Sequence, residues 1–188
     1  MVVQENRDLF WKMLEAEHPQ AESFCRRLAG HGDDWQDIYH DAIIQAQDKF
    51  SHLRNHESFK GWLYRIIINR FKSKRRLNWW RNKVTITENI SETIAGPLEE
   101  PAALARLSLE KALSSLTPDD RSLMILYELQ GWAISEISQM YGKPDGTIKS
   151  RLARARQKMR RMIIDDLPNE QLENSNKEAY YAMPRSEP

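Results

Sequence analysis

Apolar residues recur along most of the chain at intervals of three and four, the spacing of one face of an α-helix. In residues 7–30 these are Leu9, Phe10, Met13, Leu14, Phe24 and Leu28. Pro19 lacks an amide hydrogen and predicts a break there, giving two helices. Gly30, His31 and Gly32 predict a turn, after which Asp33 or Asp34 caps a helix that buries Ile38, Ala42, Ile43, Ala46 and Phe50. Residues 51–58 are polar and predict a loop. A long basic helix extends from Phe59 to about Trp79, with Trp62, Leu63, Ile66, Ile67 and Phe71 turned inward. Strand-like alternation is found only weakly, at residues 84–87.

The pattern lapses over residues 82–102, where Thr, Ser, Asn and Glu dominate and Gly96, Pro97 and Pro101 interrupt. That composition predicts a flexible linker. Periodicity resumes near Ala103, with Leu104, Leu107, Ala112, Leu113 and Leu116 inward. Thr117 and Pro118, then Asp119 and Asp120, predict a helix start: a capping hydroxyl, proline at the first helical position, and carboxylates at the positive end of the dipole. Leu123, Met124, Leu126, Tyr127 and Leu129 fill its inner face, and Gly131 ends it. Ile134, Ile137 and Met140 mark a short helix, and residues 142–146 a tight turn. Then Ile148, Leu152, Ala155, Met159 and Met162 form one apolar stripe on a helix otherwise rich in Lys and Arg. Beyond about Pro168 the chain is polar, which predicts a disordered tail. The fold class is therefore all-α: an amino-terminal helical domain over 1–81, a linker over 82–102, a helix-turn-helix domain over 103–166 and a tail over 167–188.

Composition narrows the function classes. In 188 residues, 40% are hydrophobic and 29% charged. The one cysteine, Cys25, rules out an internal disulfide framework and a Cys-based zinc finger. The longest aliphatic run is Ile66-Ile67-Ile68, too short for a membrane span, so no membrane insertion is expected. The first eight residues carry neither a basic nor an apolar leader segment, so a cytoplasmic protein is expected.

The net charge of +1 conceals blocks of opposite sign. Residues 33–57 carry six acidic and two basic side chains, and 60–83 carry nine basic and none acidic. Residues 84–110 carry five Glu against one Arg, and 143–161 carry eight basic residues against one Asp. Two basic blocks suggest two polyanion-binding faces, and the acidic stretches suggest a cationic partner.

The second basic block has the helix-turn-helix pattern: short helix, glycine-containing turn, basic amphipathic helix. An α-helix fits the major groove, where Arg forks onto guanine and Ser bonds either way. Lys149, Ser150, Arg151 and Arg154 are placed to read bases, and Arg156, Lys158 and Arg160 to hold phosphates. The first block interleaves cations with Phe59, Trp62, Tyr64, Phe71, Trp79 and Trp80. Cations track phosphates and aromatic faces accept unstacked bases, which suits single-stranded or melting DNA. Core packing is the competing role for Phe71 and Trp62.

These segments resemble a known family. Pro144-x-Gly146-Thr147-Ile148-Lys149-Ser150-Arg151-Leu152-x-Arg154-Ala155-Arg156 resembles the promoter-reading domain of extracytoplasmic-function (ECF) sigma factors of bacterial RNA polymerase. Leu116-Thr117-Pro118-Asp119-Asp120-Arg121 resembles the opening of that domain. Asp37-Ile38-Tyr39-His40-Asp41-Ala42-Ile43 and Phe59-Lys60-Gly61-Trp62-Leu63-Tyr64-Arg65-Ile66-Ile67-Ile68-Asn69 resemble the family's amino-terminal segments. His40 and Ile43 replace the usual Gln and Phe, and Ala133 stands where a capping Ser is common.

The resemblance implies a subunit without catalytic chemistry or cofactor, which binds core RNA polymerase through its β′ clamp and β subunits and directs promoter recognition and melting. It implies polymerase docking by Asp37, Ile38, His40 and Asp41. It implies −10 recognition by Phe59, Trp62, Arg65, Asn69, Arg70, Lys72, Arg75 and Arg76, with a flipped base held between Asn69 and the 51–58 loop. It implies −35 recognition by Thr147, Lys149, Ser150, Arg151, Arg154 and Arg156. An anti-sigma factor is the implied regulatory partner, and the acidic linker is expected to thread the polymerase.

Two other classes fit parts of the sequence. His31, Asp33, Asp34, Asp37, His40 and Asp41 suggest a metal-dependent phosphohydrolase, but no second ligand set lies elsewhere in the chain. A stand-alone helix-turn-helix regulator would bind operators by itself, as a dimer. No dimerisation heptad is present, and the Trp-rich basic helix would have no role.

Overall fold

The computed structural model describes residues 2–30, 35–84 and 101–165, with side chains for 5–30, 35–77 and 107–164. Among these residues there are helices and turns and no strand. The helices are α1 (Val2–Ala29), α2 (Trp35–Lys49), α3 (Phe59–Val84), α4 (Pro101–Ser114), α5 (Pro118–Met124), α6 (Ile134–Tyr141) and α7 (Asp145–Asp165). The proposed cap at Asp33 or Asp34, the body of the linker and the tail lie outside the described residues.

α1 is one helix, not two, and runs through Pro19. Pro19 sits on the solvent side. Buried residues on both sides of it, Phe10 and Leu14 before and Ala21, Phe24 and Leu28 after, hold the two segments on a common core. That shared burial overrides the roughly 3 kcal/mol that an interior proline costs a helix.

The first half packs α1, α2 and α3 around a cluster of rings. Phe10 meets Phe50 at 5.3 Å and Phe59 at 6.0 Å between ring centres, and Phe24 meets Tyr64 at 5.0 Å. Between α2 and α3 the chain makes two short 3₁₀ turns, 50–52 and 56–58, where a plain loop is predicted. The Asn55 side chain caps the second turn by accepting the Glu57 amide at 3.0 Å.

The second half is built on aliphatic residues: Leu116, Leu123, Ile125, Leu126, Ile137, Ile148 and Leu152 are all buried. Thr117 caps α5 as predicted, its hydroxyl accepting the Asp120 amide at 3.2 Å, with Pro118 opening the helix. After Met124 the helix widens into a π turn over Ile125–Leu129. The extra residue per turn rotates the segment beyond it. Leu129, predicted inward, is therefore 47% exposed, and Trp132 swings inward instead, to 4%. Gly142, at φ +61°, closes α6 with paired bonds from its own amide to Gln139 and from Lys143 to Ser138.

The two halves are in contact. α3 packs against both α5 and α6, and α1 against the π turn. Tyr64 of α3 meets Trp132 at 4.8 Å, so the ring cluster of the first half runs on into the second.

Candidate nucleic-acid and polymerase interfaces

The buried stripe of α7 fixes which side chains that helix shows to solvent. With Ile148, Leu152, Ala155 and Met159 inward, Gly146, Ser150, Ala153 and Gln157 point directly outward. Lys149 and Arg160 flank them on one side, Arg154 and Arg161 on the other. Ala153 and Gln157 were not singled out from the sequence, although the stripe's phase alone places them. A small Ala153 permits close approach, and a Gln amide bonds adenine in two places.

The predicted −35 residues divide by their partners. Thr147, Lys149, Ser150 and Arg154 are exposed. Arg151 instead grips Asp120 at the start of α5, with contacts of 2.9 Å from Nε and 2.7 Å from Nη2. That ion pair is half-buried and ties α7 to α5. Arg156 donates to Glu128 at 2.6 Å and lies 5.3 Å from the centre of the Tyr127 ring. These two arginines are engaged within the domain, while Lys149 and Arg154 extend into solvent.

On α3, Arg65, Asn69, Lys72 and Arg76 succeed each other at intervals of four, three and four, and all four are exposed. They form a single polar stripe. Arg75 lies over the Phe71 ring, 5.6 Å from its centre, and lines a cleft with Asn69, Lys72 and Arg76. Phe59 is 2% exposed and belongs to the ring cluster, so it shapes this surface from beneath. Arg70 turns the other way, donating to Gln45 of α2 at 2.8 Å, because its position on the helix faces α2. Trp62 is half-buried against Phe59 and Phe50. It lines a cleft of about 440 Å³ with Leu53, Asn55 and Arg65 from its own half and Trp132 and Met140 from the other. Asn69 lines a different cleft, so it and the 51–58 loop do not share one pocket here. Trp79 and Trp80 have no described side chains.

The acidic face lies on α2. Asp37, His40 and Asp41 are exposed and line a hollow with Arg70, Ser73, Lys74 and Leu77 of α3. Asp37 and Lys74 approach to 3.4 Å. Ile38 is 2% exposed and anchors the helix from within. Sequence reasoning missed Ile44 and Leu77, each 59% exposed. Asp37, Asp41, Ile44 and Asp48 fall on one helical face, so this surface pairs carboxylates with an apolar knob.

Burial decides the ionisation of several side chains. It pushes the Cys25 thiol up to about 12, against a smaller opposing pull from Lys74. Cys25 is thus an inert core residue, its thiol donating to the Trp35 carbonyl at 3.4 Å. Burial also raises the Tyr39, Tyr64 and Tyr141 hydroxyls. Among the described residues no group of three His, Cys, Asp or Glu side chains is placed to hold a metal ion. His31, Asp33 and Asp34 lie outside them.

Two family profiles match the two halves in order: sigma-70 region 2 over residues 13–81, and sigma-70, region 4 over 106–159. The chain belongs to the sigma-70 family. Within that family its relatives are ECF sigma factors. It is 25% identical over 158 residues to the ECF RNA polymerase sigma factor SigM of Mycobacterium tuberculosis, covering 84% of this chain and 79% of that one. It is 26% identical over 171 residues to SigW of Bacillus subtilis, covering 85% and 91%. Among solved structures it is similar to the sigma factor RpoE of Bartonella quintana in complex with the anti-sigma factor NepR. That match has a TM-score of 0.65 and 26% identity, and covers 84% of this chain and 98% of that one. CnrH in complex with the cytosolic domain of CnrY shares the fold at a TM-score of 0.60 and 16% identity, over 88% and 96% of the two chains. The region-2 match accounts for the half that a stand-alone regulator would have to give to an effector domain, so that alternative is not favoured.

Proposed function

We propose that this ECF sigma factor binds core RNA polymerase and brings two basic helices to separate promoter elements, with α7 reading the −35 duplex and α3 engaging the −10 region as it opens. The observation that carries this reading is the pair of outward basic stripes, Arg65–Asn69–Lys72–Arg76 and Lys149–Ser150–Arg154, on halves that match different sigma-70 regions. Lys149, Ser150, Arg154 and Gln157 meet base edges, and Thr147 with Lys158 and Arg161 meets phosphates. Arg65, Lys72, Arg75 and Arg76 hold the backbone near −10, Trp62 offers a ring for an unstacked base, and Asn69 bonds a base edge. Asp37, His40 and Asp41, with Ile44 one turn further along the helix, dock a basic helix of the polymerase clamp. Neither half needs to bind tightly alone, since tethering raises the effective concentration of the second contact.

The chain performs no chemistry of its own in this role and works in the cytoplasm. An anti-sigma protein is its proposed antagonist, as the sigma factor RpoE is in complex with the anti-sigma factor NepR in a similar structure. No helix among the described residues is long and apolar enough to cross a membrane.

Run-off transcription with bacterial core polymerase tests the reading. Adding the chain should produce a defined set of start sites preceded by a common pair of upstream elements. Start-site choice identical with and without it, or failure to co-purify with core enzyme, overturns it.

A further inference from the structure

Two arginines of α7 are bonded within their own domain, and they flank the apolar stripe of that helix. At about 100° per residue, Ile148, Leu152, Ala155 and Met159 share one direction; Arg151 stands about 70° to one side of it and Arg156 about 70° to the other. Arg151 places Nε and Nη2 on one oxygen of Asp120, at 2.9 and 2.7 Å. The other Asp120 oxygen accepts from the Thr117 hydroxyl at 2.7 Å, and that hydroxyl also caps α5, so this tie ends on a fixed helix start. Arg156 sets its Nε on Glu128 of the π turn at 2.6 Å and lies over the Tyr127 ring.

The stripe by itself sets the roll of α7 loosely, because apolar contact has no preferred direction. Branched Ile148 and Leu152 seat its first half, but the second half rests on Ala155 and Met159, one small and one flexible. Roll matters to base reading. At the roughly 5–6 Å radius of a helix with its side chains, a 10° roll carries a side-chain end about 1 Å. That is enough to break a hydrogen bond to a base edge, whose length varies by only about 0.5 Å. Attraction to a phosphate acts over about 8 Å and hardly changes.

We infer that Arg151 and Arg156 are positioning residues for −35 recognition: paired with Asp120 and Glu128 on opposite flanks of the stripe, they fix the roll of α7 and so aim Ser150, Ala153 and Gln157 at the base edges. The inference rests on the proposed sigma-factor reading. Both pairs are part-exposed, with 22% of the Arg151 side chain and 40% of the Arg156 side chain accessible, and such pairs add little stability. Their effect is on direction. The planar fork of a guanidinium fixes an angle as well as a distance, which an ammonium does not.

Glu128 gives the cleanest test, since it lies on the π turn and not on α7. Glu128→Ala removes a negative charge, so electrostatics alone would strengthen binding to every promoter alike. The measurement is run-off by the holoenzyme from its preferred −35 element, divided by run-off from single-base variants of that element. This ratio should fall about fivefold or more in Glu128→Ala, the lower end of one base-edge contact. Arg156→Ala should lower the ratio as much and leave the salt dependence of promoter binding unchanged. The chain carrying both Glu128→Arg and Arg156→Glu rebuilds the pair in reverse and should discriminate better than either reversal alone.

A ratio is blind to how much of the chain is folded, since a less stable variant lowers run-off from all promoters together. Arg151→Ala, on the opposite flank, is the second variant and should relax the ratio in the same way. An unchanged ratio in Glu128→Ala or Arg151→Ala, or a reversed pair no better than its single reversals, overturns the inference. So does a salt slope that drops by about one in Arg156→Ala, which would make Arg156 a phosphate contact. A wild-type chain that directs no specific initiation overturns the functional reading instead.

Discussion

α3 and α7 are both long, basic and anchored by an apolar stripe, yet they meet the rest of the molecule differently. α7 is held by aliphatic residues of its own half and leaves Lys149, Ser150, Ala153, Arg154 and Gln157 open to solvent. α3 sits among aromatic rings, and part of its outward face is covered by the other half through Met140, Asp119 and Trp132. A helix that reads duplex DNA can be finished at folding, because the major groove accepts it as it stands. In α3, by contrast, Arg65 and Lys72 are already bonded within the chain. Basic composition alone does not separate the two cases; the partners of each cation do.

The largest effect is expected where the aromatic half reaches into its neighbour. Phe24→Ala removes a fully buried ring in contact with Tyr64, which itself touches Trp132. Losses for buried Phe→Ala changes run about 3–5 kcal/mol, measurable by urea denaturation. Both halves should lose stability together. Unfolding in two separate steps, with the second half unaffected, would break the comparison by showing the halves to be independent.

A smaller effect sharpens it from the open side. Arg154→Ala should cost about 1–3 kcal/mol in binding a −35 duplex and relax base preference at one position. Loss of affinity that is uniform across all −35 variants would make Arg154 a phosphate contact instead.

At neutral pH the smallest effect belongs to the core around Cys25. A thiol raised from its ordinary value near 9 to about 12 binds its proton more tightly when folded. Its contribution is therefore complete below pH 9 and declines as pH rises from 9 towards 12. Replacing Cys25 by Ala should flatten that part of the stability curve, with the three buried tyrosines contributing the slope that remains. An unchanged slope would show that the thiol is not held in the core.

Much of this was legible in the order of residues, because the signals were local. The α7 stripe, the Thr117–Pro118 helix start and the turns at Gly131 and Gly142 depend on neighbours within a few positions. The features that were not legible depend on contacts far along the chain. Pro19 reads as a break until the buried residues on both sides are known to share one core. Leu129 reads as inward until the π turn adds a residue to the count. The ion pair of Arg151 with Asp120, thirty-one positions away, has no local signal in the sequence. Arg65 and Lys72 looked free because their partners, Met140 and Asp119, lie in the other half.

Gly30 carries a consequence for how this chain tolerates change. It stands at φ +78°, and a Cβ placed on it would come within 2.7 Å of Arg121 Nη2 and of Glu110 Oε1. Any side chain there intrudes on the guanidinium that also reaches Arg27 across the boundary. Alanine there should cost the full chain stability, because it strains the backbone and crowds a guanidinium that ties one half to the other.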